Sequence, residues 1–196
     1  MPQVQLLAEA GLVALLVCAG GLIALHVLPT GANPLRDPLN RLASGRYGTL
    51  YEWQAFAGGV AAGGLVAAFV LLRLKVPLWG SLGLAGYALA SVLIGSFPPD
   101  LAPPPTRRGR FNTLLAWLAV AGIALAAAGL TGPLIGLGAS PQLSVAAGLI
   151  LVTAAGWAAA AWVQPLRAVI GLLERALSLG LVVWLGLIVA QLLRVV

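Results

Sequence analysis

Asp37, Asp100 and Glu174 are the residues best suited to acid/base chemistry in this chain, and such residues are scarce. Asp and Glu number five in 196 residues, Glu9 and Glu52 being the others. Carboxylates gathered at one place can pass protons between a substrate and water. Other catalytic groups are nearly missing: His26 is the one histidine and Cys18 the one cysteine. Ser44, Ser91 and Ser96 have no histidine near them in sequence to act as a base. A single cysteine excludes an internal disulfide and any thiolate-rich zinc site. A haem or chlorin ligand at His26 would lack a second ligand and an attachment motif. No catalytic residue, metal or cofactor is therefore expected.

The basic residues are more numerous and fall in clusters. "RDPLNRLASGRYG", residues 36–48, brings Arg36, Arg41 and Arg46 together with Asp37 in a chain of which 8% is charged. "FPPDLAPPPTRRGRFN", residues 97–112, has five prolines in eight positions, which predicts a stiff extended arm delivering Arg107, Arg108 and Arg110 just ahead of the next apolar run. Glu174 and Arg175 open the last run. Neighbours on a helix point apart, so these two are expected to take different partners, tying the loops to the last helix.

The elements that position these groups follow from composition. The chain is 61% hydrophobic with a mean hydropathy of +1.02, more apolar surface than a soluble domain of this length could bury. It reads as one all-α integral membrane domain over 1–196, a six-transmembrane-helix bundle with spans near 6–28, 54–73, 77–97, 111–130, 143–163 and 174–193. Pro29, Pro77, Pro98-Pro99, Gly132-Pro133, Pro141 and Pro165 mark the breaks. The first run has no basic leader and carries Glu9, so it is expected to stay as a helix rather than be removed as a signal peptide. Gly58, Gly59, Gly63 and Gly64, with Gly80, Gly83 and Gly86, are expected to let helices of this chain approach closely.

With six spans, the first, third and fifth connections share one end. They hold Arg36, Arg41, Arg46, Arg107, Arg108, Arg110 and Arg167, with Arg175 beside them, against Arg73, Lys75 and Arg194 at the other end. The richer end is expected to be cytoplasmic. The net charge of +6 is spread beside apolar spans, so anionic lipid rather than nucleic acid is the expected counter-charge. Asp37-Pro38 predicts the start of a short surface helix that Gly45 ends, with the aspartate as cap and the proline in the first turn. Leu35, Leu39 and Leu42 would line one side of it, with Asn40 and Arg41 projecting elsewhere. Tyr47, Tyr51 and Trp53 are expected to anchor the following span at headgroup depth.

Three passages, "LHVLPTGANPLRDPLNRLASGRYGTLYEW", "GSFPPD" with "GRFN", and "GLLERALSLGLVVW", resemble the six-helix bacterial membrane proteins grouped as domain of unknown function 998. The resemblance implies a location in the bacterial inner membrane. It matches Asp100 to an aspartate after a phenylalanine-proline pair and Arg175 to an arginine opening the last helix. It also implies an acidic residue shortly after the loop-one proline, where this chain has Asn40 and Arg41, and a histidine where it has Asn112. Asparagine and arginine bind but do not shuttle protons near neutral pH. The expected function is therefore non-catalytic: a polar cap of Asp37, Asn40, Arg41, Arg46, Asp100, Arg107, Arg108, Arg110, Asn112, Glu174 and Arg175 holding an anionic lipid, a partner membrane subunit or a second copy. A lipid-modifying enzyme using Asp37, Asp100 and Glu174 is the alternative. A small transporter fits less well, because no ionisable residue falls mid-span.

Overall fold

The apolar runs form helices and the helices close a ring. The computed structural model describes residues 2–100, 104 and 106–195, with Asn40 described by its backbone alone. The elements in order are α1 (Pro2–Val27), a 3-10 helix (Leu39–Ser44), α2 (Gly48–Leu71), α3 (Leu78–Ile94), α4 (Arg107–Gly136), α5 (Gln142–Ala160), the short α6 (Gln164–Arg167) and α7 (Ile170–Val195). Each long helix packs on the next, and α7 returns to α1. Among the described residues, five helices are long and apolar enough to cross a membrane, and α3, apolar but 17 residues long, is shorter. At 1.5 Å per residue α3 spans about 25 Å, against about 30 Å of hydrocarbon.

The ring is greasy on both sides. Leu16, Ile23, Val70 and Val152 are 64–73% exposed on its outside, a surface that only a lipid solvent would favour. Inside, Trp184 is fully buried and donates its indole N–H to Thr131 Oγ1 at 3.0 Å, so this polar pair is satisfied where no water can serve it. The chain is an all-α membrane bundle.

Small residues set the closest approach, between α3 and α4. A Cβ added at Gly83 would lie 2.7 Å from the Gly122 carbonyl oxygen, and one at Gly122 would lie 2.6 Å from that of Gly83. Backbone meets backbone there, with no room for a side chain on either helix.

Several boundaries differ from the sequence reading. Gly132-Pro133 does not end the fourth helix, which runs on to Gly136. The turn comes instead at Gly138, whose φ of +94° suits glycine. Proline inside a spanning helix is tolerated when neighbouring helices support it. At 30 residues α4 is about 45 Å long, so its ends pass beyond the hydrocarbon. Arg107, Arg108 and Arg110 are thus in its first turn and not ahead of it. α2 begins earlier than expected, at Gly48, and α7 at Ile170, which sets Glu174 and Arg175 one turn into that helix. Tyr51 is buried in the bundle at 7% exposure, whereas Trp53 is 60% exposed. Tyr51 and Trp53 are two positions apart on α2, about 200° around the helix, so they face opposite sides and cannot anchor as a unit.

Candidate functional site

The cap is built first from loop one, whose turn starts at Asn33. The Asn33 side-chain oxygen accepts the Leu35 N–H at 3.0 Å, and the Asn33 N–H goes to Asp37 Oδ2 at 2.8 Å. Arg41 folds back one turn onto Asp37 Oδ1. Asp37 therefore closes a turn and does not cap the short helix: Pro38 stands at the cap position without a side-chain hydrogen bond, and the element is 3-10 rather than α. Gly45 ends it as expected, its N–H reaching the Leu42 carbonyl. Leu39 and Leu42 are buried beneath it, whereas Leu35 is half exposed. The Asn33 amide, helped by the charges of Arg41 and Arg175, holds the Asp37 carboxyl below the usual carboxylate range.

Loop one is then clamped to α7. Arg175 Nη1 donates to the carbonyls of Pro34 at 2.8 Å, Asp37 at 3.0 Å and Gly171 at 2.9 Å. The Leu172 N–H adds a bond to the Leu35 carbonyl at 3.2 Å. A Cβ at Gly171 would stand 2.8 Å from the Pro34 carbonyl oxygen, so the loop lies directly on helix backbone and needs glycine beneath it. Glu174 faces elsewhere. Its Oε2 accepts the Leu39 N–H at 2.5 Å and its Oε1 accepts the indole N–H of Trp157 at 2.9 Å. One carboxylate thus joins the 3-10 helix, α5 and α7.

Loop three is tied by a different set. Asp100 accepts the Thr106 N–H at 2.7 Å and the Thr106 hydroxyl at 2.9 Å, and the Thr106 oxygen in turn accepts the Gly109 N–H at 3.1 Å, capping α4. The Asp100 carboxylate occupies the space a Cβ on Gly109 would need. Asn112 is 1% exposed, and its amide donates to the Phe97 carbonyl at 2.5 Å. It is a buried strut and presents nothing at the cap surface. Ser44 donates to the Pro99 carbonyl at 3.1 Å, which joins loops one and three. Of the proline arm, residues 101–103 and Pro105 lie outside the described residues, as does the side chain of Asn40.

The cations are left on the outside. Arg36, Arg41, Arg46, Arg107, Arg108 and Arg110 are all exposed. Arg46 lies 5.7 Å from the centre of the Tyr47 ring. Arg167 is spent on the carbonyls of Ala160 and Ala161 at the end of α5. Among the described residues, the side chains of Arg107, Arg108 and Arg110 make no hydrogen bond or ion pair.

Beneath the cap a cavity of about 130 Å³ enters the ring. Tyr51 and Gln54 of α2, Tyr87 and Ser91 of α3, and Trp157 and Glu174 line its polar part, and Leu39 of the 3-10 helix stands beside them.

A family model matches residues 12–191 of this chain. The chain belongs to the family described as protein of unknown function (DUF998). No curated protein and no solved structure matches it. The DUF998 match begins within α1, ends within α7 and covers the four long helices between them and both clamped loops, so the cap and the cavity lie within the family's domain. The family description supplies no chemistry, and the site must be read from its own residues.

For this DUF998 chain the structure brings Asp37, Arg41, Glu174 and Arg175 together around loop one, and Asp100 and Asn112 together around the start of α4. The cavity residues have a sequence signal of their own. Tyr51 and Gln54 are three apart, and Tyr87 and Ser91, like Glu174 and Ser178, are four apart. Each pair shares a helix face, and each lies near the cap end of its helix. Polar pairs at helical spacing in three apolar spans mark a polar interior.

Proposed function

We propose that this DUF998 protein is a non-catalytic multi-pass membrane protein that binds an anionic lipid headgroup at its cap. One observation carries the reading: the cap's carboxylates are turned onto loop backbone, while Arg107, Arg108 and Arg110 in the first turn of α4 are exposed without a partner among the described residues. Guanidinium groups beside a helix N-terminus suit phosphate oxygens, and each basic residue near an anionic bilayer contributes about 1 kcal/mol. Arg41 and Arg46 flank this surface, and Arg175 and Glu174 hold its framework in place. In this reading the arginine-rich end faces the cytoplasm of a bacterial inner membrane. Cysteines placed at Ser44 and Thr106 would then both react from the cytoplasmic side and neither from outside.

Native mass spectrometry of the gently extracted protein tests the lipid. Phosphatidylglycerol or cardiolipin should remain on the wild type and be lost from the triple variant Arg107→Gln, Arg108→Gln, Arg110→Gln. Equal lipid retention by the two would overturn the reading. A retained partner subunit in place of lipid, lost in the same variant, would move the proposal from lipid to protein. The rival enzyme reading requires Asp100→Asn to abolish turnover of a lipid, yet Asp100 already accepts two hydrogen bonds from Thr106.

A further inference from the structure

We infer that the cavity beneath the cap is a binding site for a small organic ammonium compound. This rests on the interior of the ring and not on the exposed arginines, so it stands or falls separately from the lipid reading. Size sets the first limit. The cavity holds about 130 Å³, and a cavity of about 150 Å³ takes a benzene molecule, so the occupant has a handful of heavy atoms.

The wall sets the chemistry. Among the described residues lining the cavity there is one carboxylate, Glu174, and no Lys, Arg or His. In a low-dielectric interior such a wall favours a cation and repels an anion. Arg175, the nearest cation in sequence, directs its Nη1 to the carbonyls of Pro34, Asp37 and Gly171. Gln54 and Ser91 offer further oxygens, and the rings of Tyr51, Tyr87 and Trp157 carry the quadrupole that attracts cations.

Glu174 is preset for this task. The Leu39 N–H and the Trp157 indole N–H fix one carboxylate oxygen each, and a carboxylate oxygen accepts more than one hydrogen bond. Ile123, Leu177 and Leu181 line the apolar remainder. The occupant is therefore an amine with a short alkyl part: the ammonium group donates to Glu174 and its neighbours, and the alkyl part lies against the aliphatic wall.

The test uses the full chain in phosphatidylcholine nanodiscs, with empty discs as the blank. Saturation-transfer NMR compares n-butylammonium with its neutral analogue n-butanol and with butyrate. n-Butylammonium should bind saturably and about tenfold more tightly than n-butanol, and butyrate should not bind. Ala119→Leu, which places an isobutyl group in the wall while leaving Glu174 intact, should abolish binding, and Glu174→Gln should erase the preference for the cation. Ser178→Leu repeats the filling test from α7 should Ala119→Leu on α4 fail to assemble. Equal binding of n-butanol and n-butylammonium, no binding of either, or undiminished binding in the filled variants would overturn the assignment.

Discussion

The seam between α3 and α4 and the cap above the ring are both tightly held, by opposite means. At the seam, Gly83 and Gly122 bring two backbones together with no polar side chain between them, and Gly80 packs against Gly129 and Leu130 in the same way. Lipid gives apolar groups no reason to leave it, so this seam holds by close contact and shape. At the cap, Arg175, Glu174 and Asp100 hold loops by donating to or accepting from backbone atoms. The seam should therefore be sensitive to volume and the cap to hydrogen-bonding groups.

The largest effect is expected at the seam. Gly122→Leu forces a side chain into the Gly83 carbonyl, and neither backbone can yield, so a loss of about 3 kcal/mol or failure to assemble follows. Gly86→Ala on the facing helix, α3, is the control. Its new methyl would lie 3.4 Å from the flexible end of Leu118, and its thermal unfolding in detergent should match the wild type within about 0.5 kcal/mol. Equal behaviour of the two variants would end the contrast.

The cap should fail locally. Arg175→Met keeps length and apolar contact but removes the bonds to the Pro34, Asp37 and Gly171 carbonyls. A charged donor contributes about 1.5–3 kcal/mol, so loop one should lose about 2 kcal/mol of protection. Hydrogen exchange should rise at residues 33–41 and leave the protection of α3 and α4 unchanged. Asn112→Leu comes next: it keeps the volume and orphans the Phe97 carbonyl, costing about 1–2 kcal/mol. Exchange should then rise at the end of α3 and the start of α4, not in loop one.

The two regions also differ in how far their sequence discloses them. The ring is legible from the lengths of the apolar runs, and the seam from the glycines of α3, because both features repeat locally. The cap is legible in its membership and not in its connections. Leu39 and Glu174 are 135 residues apart, and Pro34 and Arg175 are 141 apart, so no local pattern joins them. Asp37-Pro38 reads as a helix start because capping is the usual local use of such a pair. The carboxylate instead takes the Asn33 amide upstream, and a 3-10 turn leaves Pro38 at the boundary. Pro133 misleads for a related reason: it reads locally as a helix end, yet α4 runs on past it to Gly136. Asn112 stands in a polar stretch that suggests a surface, yet it folds under Phe97.

The smallest effect separates charge from shape within the cap itself. Asp37 has its carboxyl pulled below the usual range by the Asn33 amide and the nearby guanidinium groups. A depressed folded-state pKa stabilises the fold above the unfolded value, about 3.9 for aspartate, and that contribution is lost as pH falls through the lower folded value. The melting temperature of the wild type should therefore exceed that of Asp37→Asn by a constant margin from pH 7 down to about pH 5. The margin should then shrink as the solution is acidified past the ordinary carboxylate range, because protonation gives the wild type the same neutral group as the variant. Gly86→Ala and Asn112→Leu, which touch no titrating group in this range, should keep a fixed offset from the wild type through the same titration. A margin for Asp37→Asn that held steady into acid would mean that the turn at Asn33 is held by its shape alone, as the seam is, and the division between the two regions would then begin at Arg175 rather than at loop one.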